Sequence, residues 1–219
     1  MNKVISHSQA ADMIQDGMSL AIGGFLAVGT PETLIRNIFQ KNTQNLTIIA
    51  NDTAFPDRGI GILVSQKQVE KAVVSHIGTN PETGRQMNSG ELEVELVPQG
   101  TLAERLRCGG SGLGGVLTPT GLGTVVAEEK MMIKVDGKAY LLERPLRADA
   151  ALLKAAKADK SGNLICRRSA KNFNPLMAMA ADLVIAEVEE IVETGAIDPD
   201  EVTVPGIFVD YVCLEEKGA

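Results

Sequence analysis

The chain has 219 residues, of which 44% are hydrophobic and 22% charged, a balance typical of globular proteins. This length suffices for one well-buried α/β domain, and we expect residues 1–219 to form a single domain. The net charge of −7 argues against a nucleic-acid partner, which would favour a basic face. Aromatic residues make up only 3% of the chain, so the core should be aliphatic.

The sequence also argues against a metal centre and a membrane segment. The three cysteines lie far apart and the only histidines are His7 and His76, a set that predicts neither a zinc site nor a disulfide framework. The N-terminus lacks an apolar signal core, and no stretch approaches the ~20 apolar residues of a membrane span. We therefore expect a cytoplasmic protein that contacts neither a metal nor a membrane.

The chain opens with alternating helix and strand patterns. Residues 8–15 predict a short helix, and residues 19–22 form an apolar run typical of a buried strand. A second helix should follow, because Thr30 is a good N-cap and Pro31 suits the first helical position. The apolar face of this helix would contain Leu34, Ile35, Ile38 and Phe39.

Strands and helices continue to alternate along the rest of the chain. A helix should begin near Gln99, where Thr101 as N-cap and Glu104 would form a capping box, and another covers residues 175–181. Extended segments are predicted at 46–50, 71–75, 92–97, 150–158, 164–167, 183–188 and 204–214. This alternation indicates an α/β fold with a mostly parallel sheet flanked by helices.

Two segments interrupt this pattern. Residues 131–142 predict a β-hairpin with its turn at Asp136-Gly137, and the glycine-rich residues 109–123 predict no regular element. We expect both to be insertions on the α/β core that form one edge of a site. Residues 110–115 contain a G-x-G-x-x-G pattern, but a helical pattern precedes it and Pro119 follows, which argues against a dinucleotide site.

The most informative stretch is residues 16–31. Here an apolar run leads into Gly23 and Gly24, and Gly29 then precedes a helix N-terminus. Strand, glycine loop and helix N-terminus together present free backbone N–H groups to an anion such as a phosphate. The alternative is a strand-to-helix turn that needs glycines for packing alone. If the loop holds a ligand, Gly24→Val should block it and leave the fold intact.

This stretch resembles the first signature of the class I coenzyme A transferases. The fixed positions of that signature are matched by Asp16, Gly17, Leu20, Ala21, Ile22, Gly23, Gly24, Phe25, Gly29 and Pro31. Similarity to the α subunits of the acetate/butyrate–acetoacetate branch extends over residues 49–53, 77–85, 97–102, 117–121, 142–149 and 169–176. The resemblance implies the fold of the sugar-phosphate isomerase superfamily, and no tightly bound cofactor. It implies a coenzyme A or acyl-CoA contact at Gly23, Gly24, Phe25, Leu26, Ala27, Val28 and Gly29.

The resemblance also implies a mechanism and a partner. In this family a glutamate attacks the acyl-CoA thioester, and a glutamyl-CoA thioester then transfers CoA to a short-chain carboxylic acid. That glutamate lies in a Ser-Glu-Asn-Gly motif, which is absent from this sequence. In two-subunit members the motif belongs to the β chain. We therefore expect this chain to carry no nucleophile and to act with a β subunit, as an α2β2 assembly.

Several polar side chains are candidates for the site. Asn51 and Gln99 follow predicted strands, and the resemblance places the corresponding residues in the acyl site, where an amide can donate to an oxyanion. A turn or capping role is the alternative for both. His76 is more typical of a hydrogen-bonded structural residue, and Cys108 of a small packing residue.

Other charged groups and functions stay open at this point. Residues 143–144 and 167–168 are charged, and such groups are mostly solvated or in surface ion pairs. A sugar-phosphate isomerase or deaminase on the same fold is one alternative function, and it would need its own acid and base carboxylates. A non-enzymatic sensor of acyl-CoA is another, although the sequence has no basic face for DNA.

Overall fold

A computed structural model describes residues 2–216 of the chain. Its eleven strands are β1 (Ser19–Ile22), β2 (Leu46–Asp52), β3 (Val69–His76), β4 (Glu93–Leu96), β5 (Val116–Thr118), β6 (Met132–Val135), β7 (Lys138–Glu143), β8 (Ala148–Asp159), β9 (Leu164–Ile165), β10 (Ala181–Val192) and β11 (Tyr211–Leu214). Its α-helices are α1 (His7–Met13), α2 (Glu32–Lys41), α3 (Ile60–Ser65), α4 (Pro81–Ser89), α5 (Gln99–Gly110) and α6 (Asn174–Met179).

The main sheet is parallel and has the strand order β11-β10-β8-β1-β2-β3-β4, with β9 added antiparallel to β8. Helices connect the successive strands β1 to β4, so the predicted α/β fold with a mostly parallel sheet is confirmed. A consequence of this order is that the carboxyl ends of four neighbouring strands meet at one edge of the sheet.

A second, antiparallel sheet has the order β5-β7-β6. It contains the predicted hairpin, whose turn residues Asp136 and Gly137 both have positive φ (50° and 78°), as a two-residue turn of this kind requires. The glycine-rich stretch before it is more ordered than its composition indicates. Residues Val116–Thr118 pair with β7 as a short strand, because the hairpin offers them a free edge.

The core lies in two aliphatic layers, one on each face of the main sheet. Side chains alternate between the layers along a strand, so Ala21 faces one layer whereas Leu20 and Ile22 face the other. In α2, Leu34, Ile35 and Ile38 are fully buried, as the helical spacing predicts, and Phe39 is partly buried against the same layer. This packing fixes α2 against the strand that precedes it.

Two predicted helix starts are wrong. The helix α2 begins at Glu32, and its N-cap position is taken by Pro31 without a side-chain hydrogen bond, so Thr30 does not cap it. The helix α5 begins at Gln99, so Thr101 lies inside its first turn and forms no capping box with Glu104. A capping box does occur at Ser6 and Gln9, which the sequence interpretation missed.

Two strands are longer than predicted because each pairs with a neighbouring strand beyond the predicted ends. Strands β8 and β10 have 12 residues each, and they pair along most of that length. The predicted extended segment at 204–214 is a strand only at Tyr211–Leu214, since a 3₁₀ turn at Gly206–Phe208 interrupts it.

A buried carboxylate caps α2 in place of Thr30. Glu187 on β10 is fully buried, and its Oε2 accepts the backbone N–H of Leu34 at 2.7 Å. Lys154 on β8 is opposite Glu187 in the sheet, and its Nζ lies 2.9 Å from Glu187 Oε1. The partly exposed Glu215 contacts the same Nζ at 2.7 Å. This group of charges ties α2 to the centre of the sheet.

Lys154→Met should destabilise the fold by about 3–5 kcal/mol, because it leaves the Glu187 carboxylate buried without its cation. Urea unfolding followed by circular dichroism measures this change. Lys157→Met is the matched control, since Lys157 forms the same cross-strand pair with Glu190 at partly exposed positions, where a pair contributes about 0–1 kcal/mol. Equal losses in the two variants would contradict the role given to the buried pair.

Candidate functional site

Polar side chains gather where β2, β3 and β4 end. Asn51 and Asp52 are the last residues of β2, Ser75 and His76 end β3, and Gln99 opens α5 just after β4. All of them except Asn51 line a cavity of about 320 Å³. Its lining residues are Phe25, Leu26, Asp52, Ser75, His76 and Gln99. Convergent polar groups in an apolar-walled cavity at this edge of a parallel sheet are typical of a ligand site.

The structure brings Asn51 and Gln99 into direct contact. Gln99 Nε2 donates to Asn51 Oδ1 at 2.8 Å, and Ser75 Oγ donates to the same oxygen at 3.0 Å. These two donors orient the amide of Asn51, a residue that is only 3% exposed. Asn51 lies behind the cavity lining, and its Nδ2 makes no hydrogen bond to residues 2–216.

The glycine loop closes into a tight turn, residues 25–29, which we call turn A. Phe25 and Val28 exchange two backbone hydrogen bonds of 3.0 and 2.9 Å. Leu26 and Ala27 between them have positive φ (48° and 67°), and Gly29 follows at 80°. Phe25 and Val28 are 45% and 52% exposed, so the turn presents an apolar surface at the rim of the cavity.

Several backbone N–H groups of this loop form hydrogen bonds within the chain. Gly24 N–H donates to Asn172 Oδ1 and Leu26 N–H to Asp52 Oδ2, while Gly23 N–H bonds the carbonyl of Leu152. The first turn of α2 donates to Glu187. These amides are therefore not free for a phosphate, whereas the N–H groups of Ala27, Gly29 and Thr30 make no hydrogen bond to residues 2–216, so an anion contact by the loop stays a prediction.

The two glycines are required by packing inside the loop. A Cβ on Gly23 would lie 1.9 Å from Asn174 Oδ1, and one on Gly24, whose φ is 129°, would lie 1.9 Å from Thr30 Oγ1. Gly24→Val would thus deform the turn itself, so the expectation that it leaves the fold intact is not supported. The packing role and a ligand contact by the exposed residues of turn A are compatible.

A second cavity, of about 460 Å³, lies on the other side of turn A. Ala27, Val28 and Gly29 line it together with Lys154 and the segment Arg167–Ala170. The Arg167 side chain is 63% exposed and lies 3.8 Å from Glu189, in agreement with the surface ion pair expected there. Turn A thus separates two cavities and contributes residues to both.

The remaining sequence candidates have clear structural roles. Cys108 is 1% exposed and packs as a core residue, as expected. Gly110 ends α5 and the strand β5 follows, so the rejection of a dinucleotide fingerprint is confirmed. Glu143 differs from expectation: it is buried and pairs with Lys130 at 2.6 Å instead of facing solvent.

His76 is exposed and lines the cavity, a position that its sequence context did not reveal.

Asp52 is the one carboxylate among the described residues that line the smaller cavity. Asp52 is 4% exposed, and each of its oxygens accepts one backbone N–H, so hydrogen bonds within the chain fix the position of its carboxylate. Within residues 2–216, no group of three or more His, Cys, Asp or Glu side chains is placed to hold a metal ion. None of the helices in that range combines the length and apolar composition of a membrane crossing.

Comparison with known proteins identifies the family. The model of the coenzyme A transferase family matches residues 4–215. The chain belongs to this family. Its match includes turn A, the Asn51–Gln99 pair and the strands that carry them, so the cavity described above is part of the family's shared domain.

Relatives of this CoA-transferase chain are similar over their full length. Acetate CoA-transferase subunit alpha of Escherichia coli K12 is 52% identical over 215 residues, which cover 98% of each chain. The acetoacetyl-CoA:acetate/butyrate CoA transferase alpha subunit of Clostridium acetobutylicum is 49% identical over 214 residues, again 98% of each chain. These identities confirm the resemblance to α subunits.

A solved structure shares the fold. The acyl-CoA transferase of Escherichia coli O157:H7, in a thioester complex with CoA, superposes with a TM-score of 0.85 at 22% identity. The comparison covers 100% of this CoA-transferase chain and 48% of the other, so this chain spans about half of that longer polypeptide.

Glu32, at the start of α2, has an unusual environment. Burial raises its pKa above the ordinary 4.5, the hydrogen bond from Gly59 N–H lowers it, and the charge of Glu187 raises it again, with a net increase. A raised pKa means that the folded state binds protons more readily than the unfolded chain between the two values. Ionisation of Glu32 therefore weakens the fold as the pH rises through this window.

We expect Glu32→Gln to remove the loss of folding stability that ionisation of Glu32 causes. The side-chain oxygen of the glutamine can still accept the Gly59 N–H. Its melting temperature should exceed that of the wild type at pH 7, and the difference should disappear below pH 4.5, where wild-type Glu32 is protonated in both states. Melting curves across pH test this, with the exposed Glu128→Gln as control. A pH-independent difference would refute the assignment.

Proposed function

We propose that this chain is the α subunit of a short-chain acyl-CoA transferase, which moves CoA between an acyl-CoA and a carboxylic acid such as acetate, butyrate or acetoacetate. One observation carries the proposal: a cavity with converging amide groups and an apolar wall, in which the lining carboxylate is fully hydrogen-bonded. The full-length similarity to named α subunits supports it. We further propose that residues 1–219 form one domain and that the protein is cytoplasmic.

In this proposal the chain provides binding and electrostatic stabilisation. Asn51 Nδ2 and the Gln99 amide donate to the thioester oxygen, which gains negative charge when the carbonyl is attacked. Turn A and its neighbours, Gly23 to Gly29, contact CoA through the exposed side chains of Phe25 and Val28. Because the Asn51–Gln99–Ser75 contacts exist before any ligand arrives, the donors need little reorganisation during the reaction.

The nucleophile comes from a β subunit in this proposal. Its glutamate attacks the thioester carbonyl, the C–S bond breaks and CoA leaves as a thiolate, which gives an acyl-glutamyl anhydride. The thiolate then attacks the glutamyl carbonyl and releases the first acid, which leaves a glutamyl-CoA thioester. The acceptor acid reverses both steps. An assembly of two α and two β subunits would contain two such sites.

The choice among alternative functions is narrowed by Asp52, the one carboxylate among the described residues that line the smaller cavity. A sugar-phosphate isomerase or deaminase needs its own acid and base carboxylates, and Asp52 is a single carboxylate whose position is fixed by two backbone N–H groups. A sensor that only binds acyl-CoA would not need a buried amide donor held ready beside the cavity. Neither alternative is favoured by an observation of its own.

The isolated chain should be inactive, and co-expression with the adjacent open reading frame should give CoA transfer from acetyl-CoA to acetoacetate. The physical reason is that, in this proposal, the glutamate that attacks the thioester lies on the second chain. Initial-rate kinetics should be ping-pong. A series of acetate, butyrate and succinate as acceptors then reports which acid the cavity favours. Full activity of the chain alone would refute the partner requirement.

Asn51→Asp should reduce kcat of the complex by about 10²–10³-fold, the usual cost of losing one oxyanion donor. The new carboxylate keeps the shape of the side chain and still accepts from Gln99 and Ser75, so the fold should persist. Steady-state kinetics together with a melting curve make the test. Asn88→Asp, on the exposed face of α4, is the control and should retain the wild-type kcat. An unchanged kcat for Asn51→Asp would remove it from the mechanism.

A further inference from the structure

Two consecutive strand-to-helix turns in this chain are each closed by a backbone hydrogen bond between their first and fourth residues and end at a glycine with positive φ. Turn A follows β1, and residues 55–59, which we call turn B, follow β2. In turn B the Arg58 N–H donates to the carbonyl of Phe55 at 3.3 Å, and Gly59 follows with φ of 56°. The strands β1 and β2 are parallel neighbours, so the two turns lie side by side at the edge of the sheet that holds the cavity.

One carboxylate joins these two turns. Asp52 Oδ2 accepts the N–H of Leu26 in turn A at 2.9 Å, and Asp52 Oδ1 accepts the N–H of Ala54 beside turn B at 2.7 Å. Both donors are non-glycine residues with positive φ, 48° for Leu26 and 52° for Ala54. The left-handed region is unfavourable for such residues, and hydrogen bonds to a buried charge offset that cost.

A second carboxylate makes the reverse connection. Glu32 begins the helix that turn A leads into, and its Oε2 accepts the N–H of Gly59 in turn B at 2.8 Å. Each strand–turn–helix unit therefore supplies one carboxylate that accepts a backbone N–H from the turn of the other unit. Turn A is held by this exchange and not by its own sequence alone.

We propose that Asp52 is a positioning residue, whose carboxylate sets the conformation of turn A and thereby the affinity of the site for acyl-CoA. This inference deepens the proposed function and rests on it for its link to acyl-CoA. Phe25 and Leu26 form the apolar wall of the cavity, and the Asp52 carboxylate holds the backbone of Leu26 in place. In this proposal Asp52 acts through the backbone of turn A and not as a nucleophile or base.

The test is Asp52→Asn, which preserves shape but places an NH₂ group against one of the two N–H donors. Backbone amide exchange in residues 23–31 should become about 10- to 100-fold faster in the isolated chain, since a hydrogen bond to a charged group is lost. In the complex with the β subunit, KM for acyl-CoA should rise about 10-fold with a smaller change in kcat, because turn A is less often in its competent conformation.

Asp149→Asn is the matched control. The Asp149 carboxylate also accepts two hydrogen bonds, from the N–H and hydroxyl of Ser19 at 2.7 and 2.6 Å, which lower its pKa. Ser19 lies at the opposite end of β1 from turn A, so this variant loses comparable bonds without disturbing the turn. It should leave the exchange of residues 23–31 and KM at their wild-type values.

Three results would overturn the inference. They are wild-type exchange of turn A in Asp52→Asn, equal loosening in Asp149→Asn, and a loosened turn A with unchanged KM. If Asp52→Asn does not fold, Asp52→Ser replaces it, because the smaller hydroxyl still accepts one N–H. The activity of the wild-type complex tests the proposed transferase function separately. A wrong function and a wrong role for Asp52 would therefore give different results.

Discussion

The buried carboxylate of Glu187 is the constraint on which the site depends. It occupies the centre of the sheet, where Lys154 neutralises it, and it accepts the N–H of Leu34 in the first turn of α2. The helix macrodipole favours a negative charge at this end, so the interaction fixes where α2 begins. Turn A must then span a set distance from β1 to α2, and its exposed face is directed to the rim of the cavity.

The same carboxylate changes what the glycine loop can do. Free amides at a helix N-terminus can hold an anion, and in this chain a residue on β10 occupies one of them, that of Leu34. The recognition surface that we propose includes side chains. It combines the apolar residues of turn A with the amide groups of Asn51 and Gln99. A surface of this kind suits the uncharged, reacting end of a thioester better than a phosphate.

Features set by near neighbours in sequence could be predicted. The strand β1 and the turn at Asp136 and Gly137 follow from local patterns, and both were placed correctly. Features set by distant residues could not. The cap of α2 comes from a residue 153 positions away, so the local preference for Thr30 gave the wrong residue. The reciprocal bonds of Asp52 and Glu32 join residues 26 and 27 positions apart, and no spacing rule predicts them.

The candidate site likewise has features that local sequence predicts and features that distant residues determine. Asn51 and Gln99 were identifiable because each follows a strand, and the parallel order of β2, β3 and β4 brings them together. That they bond each other through Asn51 Oδ1 depends on the register of three strands and on Ser75, which carried no sequence signal. The doubled glycine was recognisable as a motif, but its physical reason, room for Asn174 and Thr30, became clear only from the packing.

A two-chain site has a physical advantage for this chemistry. A nucleophilic carboxylate placed permanently beside Asn51 and Asp52 would repel the charge that Asp52 needs to hold turn A, and it would compete for the donors that should serve the thioester oxygen. In the mechanism that we propose, that carboxylate lies on another chain, which separates the two requirements. This chain would then keep its donors oriented and Asp52 hydrogen-bonded to both turns, and the reactive carboxylate would enter only when the complex assembles.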